Sequence, residues 1–173
     1  MADINFARMP SRPSTRPDRE PTARAAGDID FELIELLFFA YRDFVGEADQ
    51  TLAAYGFGRA HHRVLHFVNR NPGMRVSDLL DTLRITKQSL GRVLKQLVDE
   101  GFIEQTPGPA DRRQRLLTTT ESGRRLVLDL ASRQSARIAA ALGDMDPDAR
   151  ATVRRFLERM VDRTPGQPPV EET

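Results

Sequence analysis

The sequence predicts a mainly α chain with one small β-hairpin. Three observations predict it. Apolar residues recur at spacings of three and four along most of the chain, a Pro- and Gly-rich turn separates two short strand-like runs within residues 102–119, and both ends are polar and Pro-rich.

Residues 1–28 hold Pro10, Pro13, Pro17 and Pro21 among Arg8, Arg12, Arg16, Arg19 and Arg24, and read as a disordered tail. A solvated leader is favoured over a phosphate-binding arm, because Asp3, Asp18 and Glu20 dilute the charge. Residues 164–173, with Pro165, Pro168 and Pro169, read the same way. Between them, residues 29–163 are expected to form one domain. The 173 residues carry net charge +1 and are 39% hydrophobic, enough for a packed core. The absence of cysteine excludes disulfides, thiol redox sensing and thiolate metal sites. Apolar runs such as residues 36–41 are too short to span a bilayer, and no apolar signal-peptide core follows Met1. A cytoplasmic protein without membrane association is expected.

A long helix is expected over residues 30–54. Phe31, Ile34, Phe38, Tyr41, Val45, Ala48, Leu52 and Tyr55 form a stripe at the heptad period, with Leu33, Leu37, Ala40 and Phe44 beside it. So wide an apolar arc needs more than one neighbour: its own domain, and a second copy of the chain. A short helix over 60–70 turns Val64, Leu65, Phe67 and Val68 inward and ends at Asn71-Pro72-Gly73. Another long helix over 121–142 carries Leu126, Val127, Leu130 and Ile138. Asp146 is expected to cap a last helix, with Pro147 at its first position and Val153, Phe156, Leu157, Met160 and Val161 as its stripe. Residues 29–56 and 121–163 thus flank a central part, 57–120.

The central part carries the chemistry. Ser77 is expected to N-cap a short helix burying Val76, Leu79, Leu80 and Leu83. Arg84-Ile85-Thr86 make a tight turn, and Thr86 caps a helix from Lys87 to Glu100 with Leu90, Val93, Leu94, Leu97 and Val98 inward. Gly101 suits the C′ position, and Phe102 the closing contact. This is a helix-turn-helix. Its second helix presents Lys87, Gln88, Ser89, Arg92, Lys95 and Gln96 outward, residue types that bond base edges and phosphates. Gly91 is costly inside a helix; it either permits close approach to DNA or relieves packing against a neighbouring helix. Residues 102–106 and 115–119 form the hairpin, with Ile103 and Leu117 inward and Asp111, Arg112 and Arg113 at the tip. A basic hairpin beside such a helix is a wing, able to reach phosphates or the minor groove, and Asp111 can orient an Arg side chain. Residues 84–115 hold seven basic against four acidic side chains. The expected fold is therefore a winged helix-turn-helix, and double-stranded operator DNA the expected partner.

These residues resemble the MarR family of transcription regulators. The resemblance is clearest from Asp111 through Gly123, where the family pattern is Asp-x-Arg, an apolar residue four later, then Leu-Thr before a helix with a Gly. Asp111, Arg113, Leu117, Thr120 and Gly123 match; Thr119 departs, standing where Leu is usual. The resemblance implies an obligate homodimer with residues 29–56 and 121–163 as its N- and C-terminal dimerisation helices, a pseudo-palindromic site with one recognition helix per half-site, and Arg113 entering the minor groove steadied by Asp111. A repressor released by a small aromatic or anionic effector is expected.

His61, His62 and His66 are the only histidines. They are candidates for an effector pocket or a pH response. His62 and His66, at i and i+4, could share a metal ion, but no third ligand is evident and two partly buried histidines near the dimer junction are favoured. No cofactor, metal or enzymatic activity is expected, since no phosphate loop, nucleophile elbow or paired-histidine motif with its Glu is present. The alternative is a winged-helix module that binds protein and has lost DNA function. It should show apolar or acidic residues on the second helix, where this chain shows Lys87, Gln88, Ser89, Arg92 and Lys95.

Overall fold

The computed structural model describes residues 29–162, so the tails expected at 1–28 and 164–173 lie outside the described residues. The described chain runs α1 (Phe31–Ala53), α2 (Arg59–Arg70), β1 (Met74–Arg75), α3 (Val76–Leu83), α4 (Lys87–Asp99), β2 (Ile103–Pro107), β3 (Arg115–Thr119), α5 (Glu121–Leu142) and α6 (Ala149–Met160). It is mainly α with a β-hairpin wing, as the sequence predicts. The hairpin belongs to a three-stranded antiparallel sheet in the order β1-β3-β2, with Met74 opposite Leu117 and Ile103 opposite Thr119.

One core joins the helix-turn-helix to the sheet. Leu52, Val64, Leu65, Leu79, Leu90 and Leu97 are buried with Ile103, Leu117 and Leu130. Each comes from an expected inward face, because apolar periodicity marks the side of an element that leaves water. Leu126 and Val127 of α5 complete it.

Long α1 divides in two. Asp30 starts it, its carboxylate accepting the Leu33 N–H at 3.1 Å. Val45, Ala48 and Leu52 are buried in the core, whereas the N-terminal half leaves Phe31 64% and Phe38 68% exposed. None of the residues of α6 is buried in the single chain. The Asp146 cap is displaced: its carboxylate accepts the Asp148 N–H at 2.8 Å within a turn, and the helix starts at Ala149 with Asp148 as N-cap. Pro147 thus lies in that turn instead of at the first helical position.

Residues 101–123 tie the recognition part to α5. The Thr120 hydroxyl accepts the Gly123 N–H at 3.1 Å, capping α5, and donates to the Gly101 carbonyl at 2.6 Å. Thr119 earns its unusual side chain: its hydroxyl donates to Asn69 Oδ1 at 3.2 Å, joining β3 to α2. Leucine could not make that bond.

Candidate nucleic-acid interface

The helix-turn-helix is α3, a left-handed turn and α4. Arg84 takes φ 51° at the C-terminus of α3, reversing the chain sharply. Arg63, which the sequence pattern did not single out, reaches from α2 to donate to the Leu83 carbonyl at 3.1 Å. That bond satisfies an end-of-helix acceptor and holds the turn against α2. No local signal marks Arg63, since its partner is 20 positions away.

Thr86 caps α4 as expected, accepting the Ser89 N–H at 3.2 Å; its hydroxyl also donates to Ser89 Oγ at 2.9 Å. The far end closes with Phe102 N–H on the Leu97 carbonyl at 2.8 Å and Gly101 N–H on Val98 at 3.0 Å, with Gly101 at φ +75°. A helix fixed at both ends presents its outer residues in defined directions. Lys87, Gln88, Ser89 and Arg92 are exposed on it. A Cβ on Gly91 would meet nothing within 4 Å, so crowding by a neighbouring helix does not explain the glycine.

Three expectations change, at Ser77, Gln96 and Asp111, and Lys95 gains a partner. Ser77 is not an N-cap, because β1 pairs Arg75 with Leu116 and α3 starts directly after it at Val76. Asp78 instead accepts the Arg75 N–H at 3.3 Å, and Ser77 donates to Asp78 at 3.2 Å from the exposed first turn. Lys95 is exposed but engaged in an ion pair with Asp99 one turn on. Gln96 does not stand free on the outer face; it is half-buried, 2.9 Å from His61 and from Glu100. Asp111 shows no ion pair with an Arg side chain among the described residues. Its carboxylate accepts the Arg113 backbone N–H at 2.9 Å, an Asx turn that shapes the wing tip itself.

The tip is further closed by Gly108 N–H on Gln114 O and Gln114 N–H on Asp111 O, each 3.0 Å. Arg112 and Arg113 are exposed beyond it. Recognition helix and wing therefore share one core through Ile103 and Leu117, and both carry cationic side chains into solvent.

The histidines separate. His61 is hydrogen-bonded at both ring nitrogens, to Gly58 and Gln96. Burial pushes the His62 imidazole below its ordinary pKa, with the nearby His66 adding to the effect and Asp49 opposing it. Burial lowers His66 too, helped by Arg70. Among the described residues, no group of three or more His, Asp or Glu is placed to hold a metal ion. No described helix is long and apolar enough to cross a membrane.

A capped, cation-bearing second helix beside a cationic β-hairpin defines a winged helix-turn-helix DNA-binding protein. The comparisons with known proteins narrow this to a family. A family profile described as MarR family matches residues 55–114. The HTH-type transcriptional regulator PetP of Rhodobacter capsulatus is 46% identical over 129 residues, covering 75% of this chain and 78% of that protein. The transcriptional activatory protein BadR of Rhodopseudomonas palustris is 28% identical, over 79% of this chain and 83% of that one. Streptococcus pneumoniae FabT, solved in complex with DNA, superimposes with TM-score 0.67 at 17% identity, over 75% of this chain and 92% of FabT. A mutant MarR from E. coli, complexed with operator DNA, gives TM-score 0.60 at 20% identity, over 76% and 95%. The chain belongs to the MarR family and is a DNA-binding transcription regulator, not an enzyme.

Proposed function

We propose that the chain binds pseudo-palindromic operator DNA as a homodimer and represses transcription where that operator overlaps a promoter. Residues 57–120 are the DNA-reading part; 29–56 and 121–163 form the dimer. Gln88, Ser89 and Arg92 read base edges in the major groove, with Gly91 allowing close approach. Ser77, Thr86, Lys87 and Lys95 contact phosphates, which fixes register. Asp111 shapes the wing so that Arg112 and Arg113 reach the minor groove and its flanking phosphates.

One observation carries the reading: the segregation of exposed residue types. Every large hydrophobic side chain exposed among the described residues lies at Tyr55 or before, or at Leu128 or beyond. The reading part between them exposes none, which disfavours a protein-binding role for α4. On α1 and α6, by contrast, Phe38 and Phe156 are at least half exposed in the single chain. Burying a side chain of that size contributes about 1.5–3 kcal/mol, so a second copy is the natural cover. FabT and the mutant MarR that share the fold were each solved with DNA.

A small aromatic or anionic effector lodged beside the half-buried His62 and the neighbouring, exposed His66 would release the operator in this reading. His61 is set apart, its ring nitrogens being engaged.

The test is binding to the protein's own upstream DNA at several salt concentrations. Affinity should fall steeply with salt, because phosphate contacts release counterions. Arg113→Ala, lost from both wings of the dimer, should lower the log–log salt slope by about two and weaken binding by about 2–6 kcal/mol, with the dimer intact. Unchanged affinity removes the wing from the mechanism. No sequence-specific binding to any promoter would favour the protein-interaction alternative. A reporter assay reads the sign of regulation, and higher expression with the regulator present would overturn repression.

A further inference from the structure

We infer that His61 is a positioning residue for the recognition helix, holding the C-terminal half of α4 to the α1–α2 turn through Gln96; the consequence for DNA rests on the operator-binding reading above. Three hydrogen bonds run in series. Gly58 N–H donates to His61 Nδ1 at 3.1 Å. Nδ1 is therefore the bare nitrogen, and the ring proton sits on Nε2. Nε2 lies 2.9 Å from Gln96 Oε1, so it donates there, and the Gln96 amide nitrogen then donates to Glu100 Oε1 at 2.9 Å. Each bond fixes the sense of the next, so both the tautomer and the Gln96 amide are oriented. The imidazole stacks on Phe57, centroids 4.8 Å apart and planes 11° from parallel. Phe57 is itself buried and meets Phe102 edge-on at 5.1 Å. Thus one ring links the α1–α2 turn, the first turn of α2 and the recognition helix. Gln96 is one turn from Arg92, so freeing it loosens the helix next to its base-reading face.

The device works only with a neutral imidazole. A second proton would sit on Nδ1, facing the Gly58 N–H donor, and the α2 cap would be lost. Few charges face the ring. Glu100 of α4 lies beyond Gln96, and Tyr55 of the α1–α2 turn stacks on Phe57. On α2, Arg59 bonds Asp49 of α1 at 2.8 Å, and His62 adjoins in sequence. The expected result is weaker operator binding as His61 protonates.

The test uses the full chain and upstream DNA at about pH 7.5 and about pH 5.8, which span much of the range in which imidazole side chains change charge. His61→Gln keeps the cap, because Gln at this position reaches back to the N-cap N–H, and it offers Gln96 an amide donor without titrating. It should bind within about two-fold of the native protein at the higher pH and lose the response to acid. His61→Leu removes both of the ring's hydrogen bonds and should bind at least about five-fold more weakly at the higher pH, with dimerisation and helix content unchanged. The double variant H62Q/H66Q should keep the native acid response. Native-like binding by His61→Leu, or an undiminished acid response in His61→Gln, would overturn the role. A second measurement needs no DNA: imidazole nitrogen shifts in the free protein should show only the Nε2–H tautomer at the higher pH. Two tautomers in exchange would overturn the inference even if no operator were found, whereas native protein that ignores DNA counts against the operator reading alone.

Discussion

Replacing Gly123 by Ala perturbs the joint between the winged helix-turn-helix and α5. A Cβ at Gly123 would stand 2.1 Å from the Phe102 carbonyl oxygen and 3.0 Å from its carbon. Both are backbone atoms, so no side chain can swing aside. Restoring ordinary contact requires the start of α5 and Phe102 to part by roughly 1 Å. That movement stretches Thr120 N–H to Phe102 O, now 3.1 Å, and the Thr120 hydroxyl to Gly101 O, now 2.6 Å. Overpacking costs about 1–3 kcal/mol, and each weakened hydrogen bond about 1 kcal/mol. Against this, Ala gains about 1 kcal/mol of helix propensity over Gly. The net expectation is a loss of about 2–4 kcal/mol. Urea unfolding followed by far-UV circular dichroism suits a chain without Trp, at one fixed protein concentration so that dimerisation does not shift the midpoint. The sign is decisive. If Gly123→Ala leaves stability unchanged or raises it, propensity has won and the close approach of α5 to Phe102 is wrong.

Further perturbations reach the other elements. Thr86→Ala should cost about 1 kcal/mol by removing the α4 cap, while Thr86→Ser should keep most of it in the same unfolding assay. If the proposed homodimer is built on α1, Phe38→Asp should yield monomers in sedimentation velocity, because Phe38 is 68% exposed in the single chain; persistent dimers would place the interface elsewhere. His62 and His66 are held below their ordinary pKa of 6.5 by burial, so the unfolded chain takes up their protons first on acidification. Their contribution to stability is complete above about pH 6.5 and lost as pH falls through the folded-state values. H62Q/H66Q should flatten that loss, and an unchanged slope would mean that neither imidazole is buried neutral.

What the sequence revealed was whatever it encodes locally. Leucines at helical spacing marked the inner face of α4, and Thr86 marked its start, because cap and stripe depend on residues within a turn or two. The exposed half of α1 was legible as excess: one neighbour cannot cover an arc from Phe31 to Tyr41. Strand β1 was not legible, since two residues show no alternation and are strands only through pairing with β3. That same pairing moved the α3 cap from Ser77 to Arg75. Gln96 looked like a base reader because helical geometry puts it near Arg92; its bond to His61 crosses 35 positions and leaves no local trace. Asp111 was expected to orient an Arg side chain, but short Asp side chains in turns bond backbone N–H groups two residues on, and it takes the Arg113 amide. At Gly91 the sequence allowed two explanations, and the open space above it removes crowding by a neighbouring helix of the same chain.

Selection of bound sequences from random DNA by the full chain tests the central claim most directly. The expected result is an inverted pair of half-sites with centres about 10–10.5 bp apart or a multiple of that, as a dimer with two recognition helices requires. Enrichment of a single half-site, or of no motif at all, would contradict it.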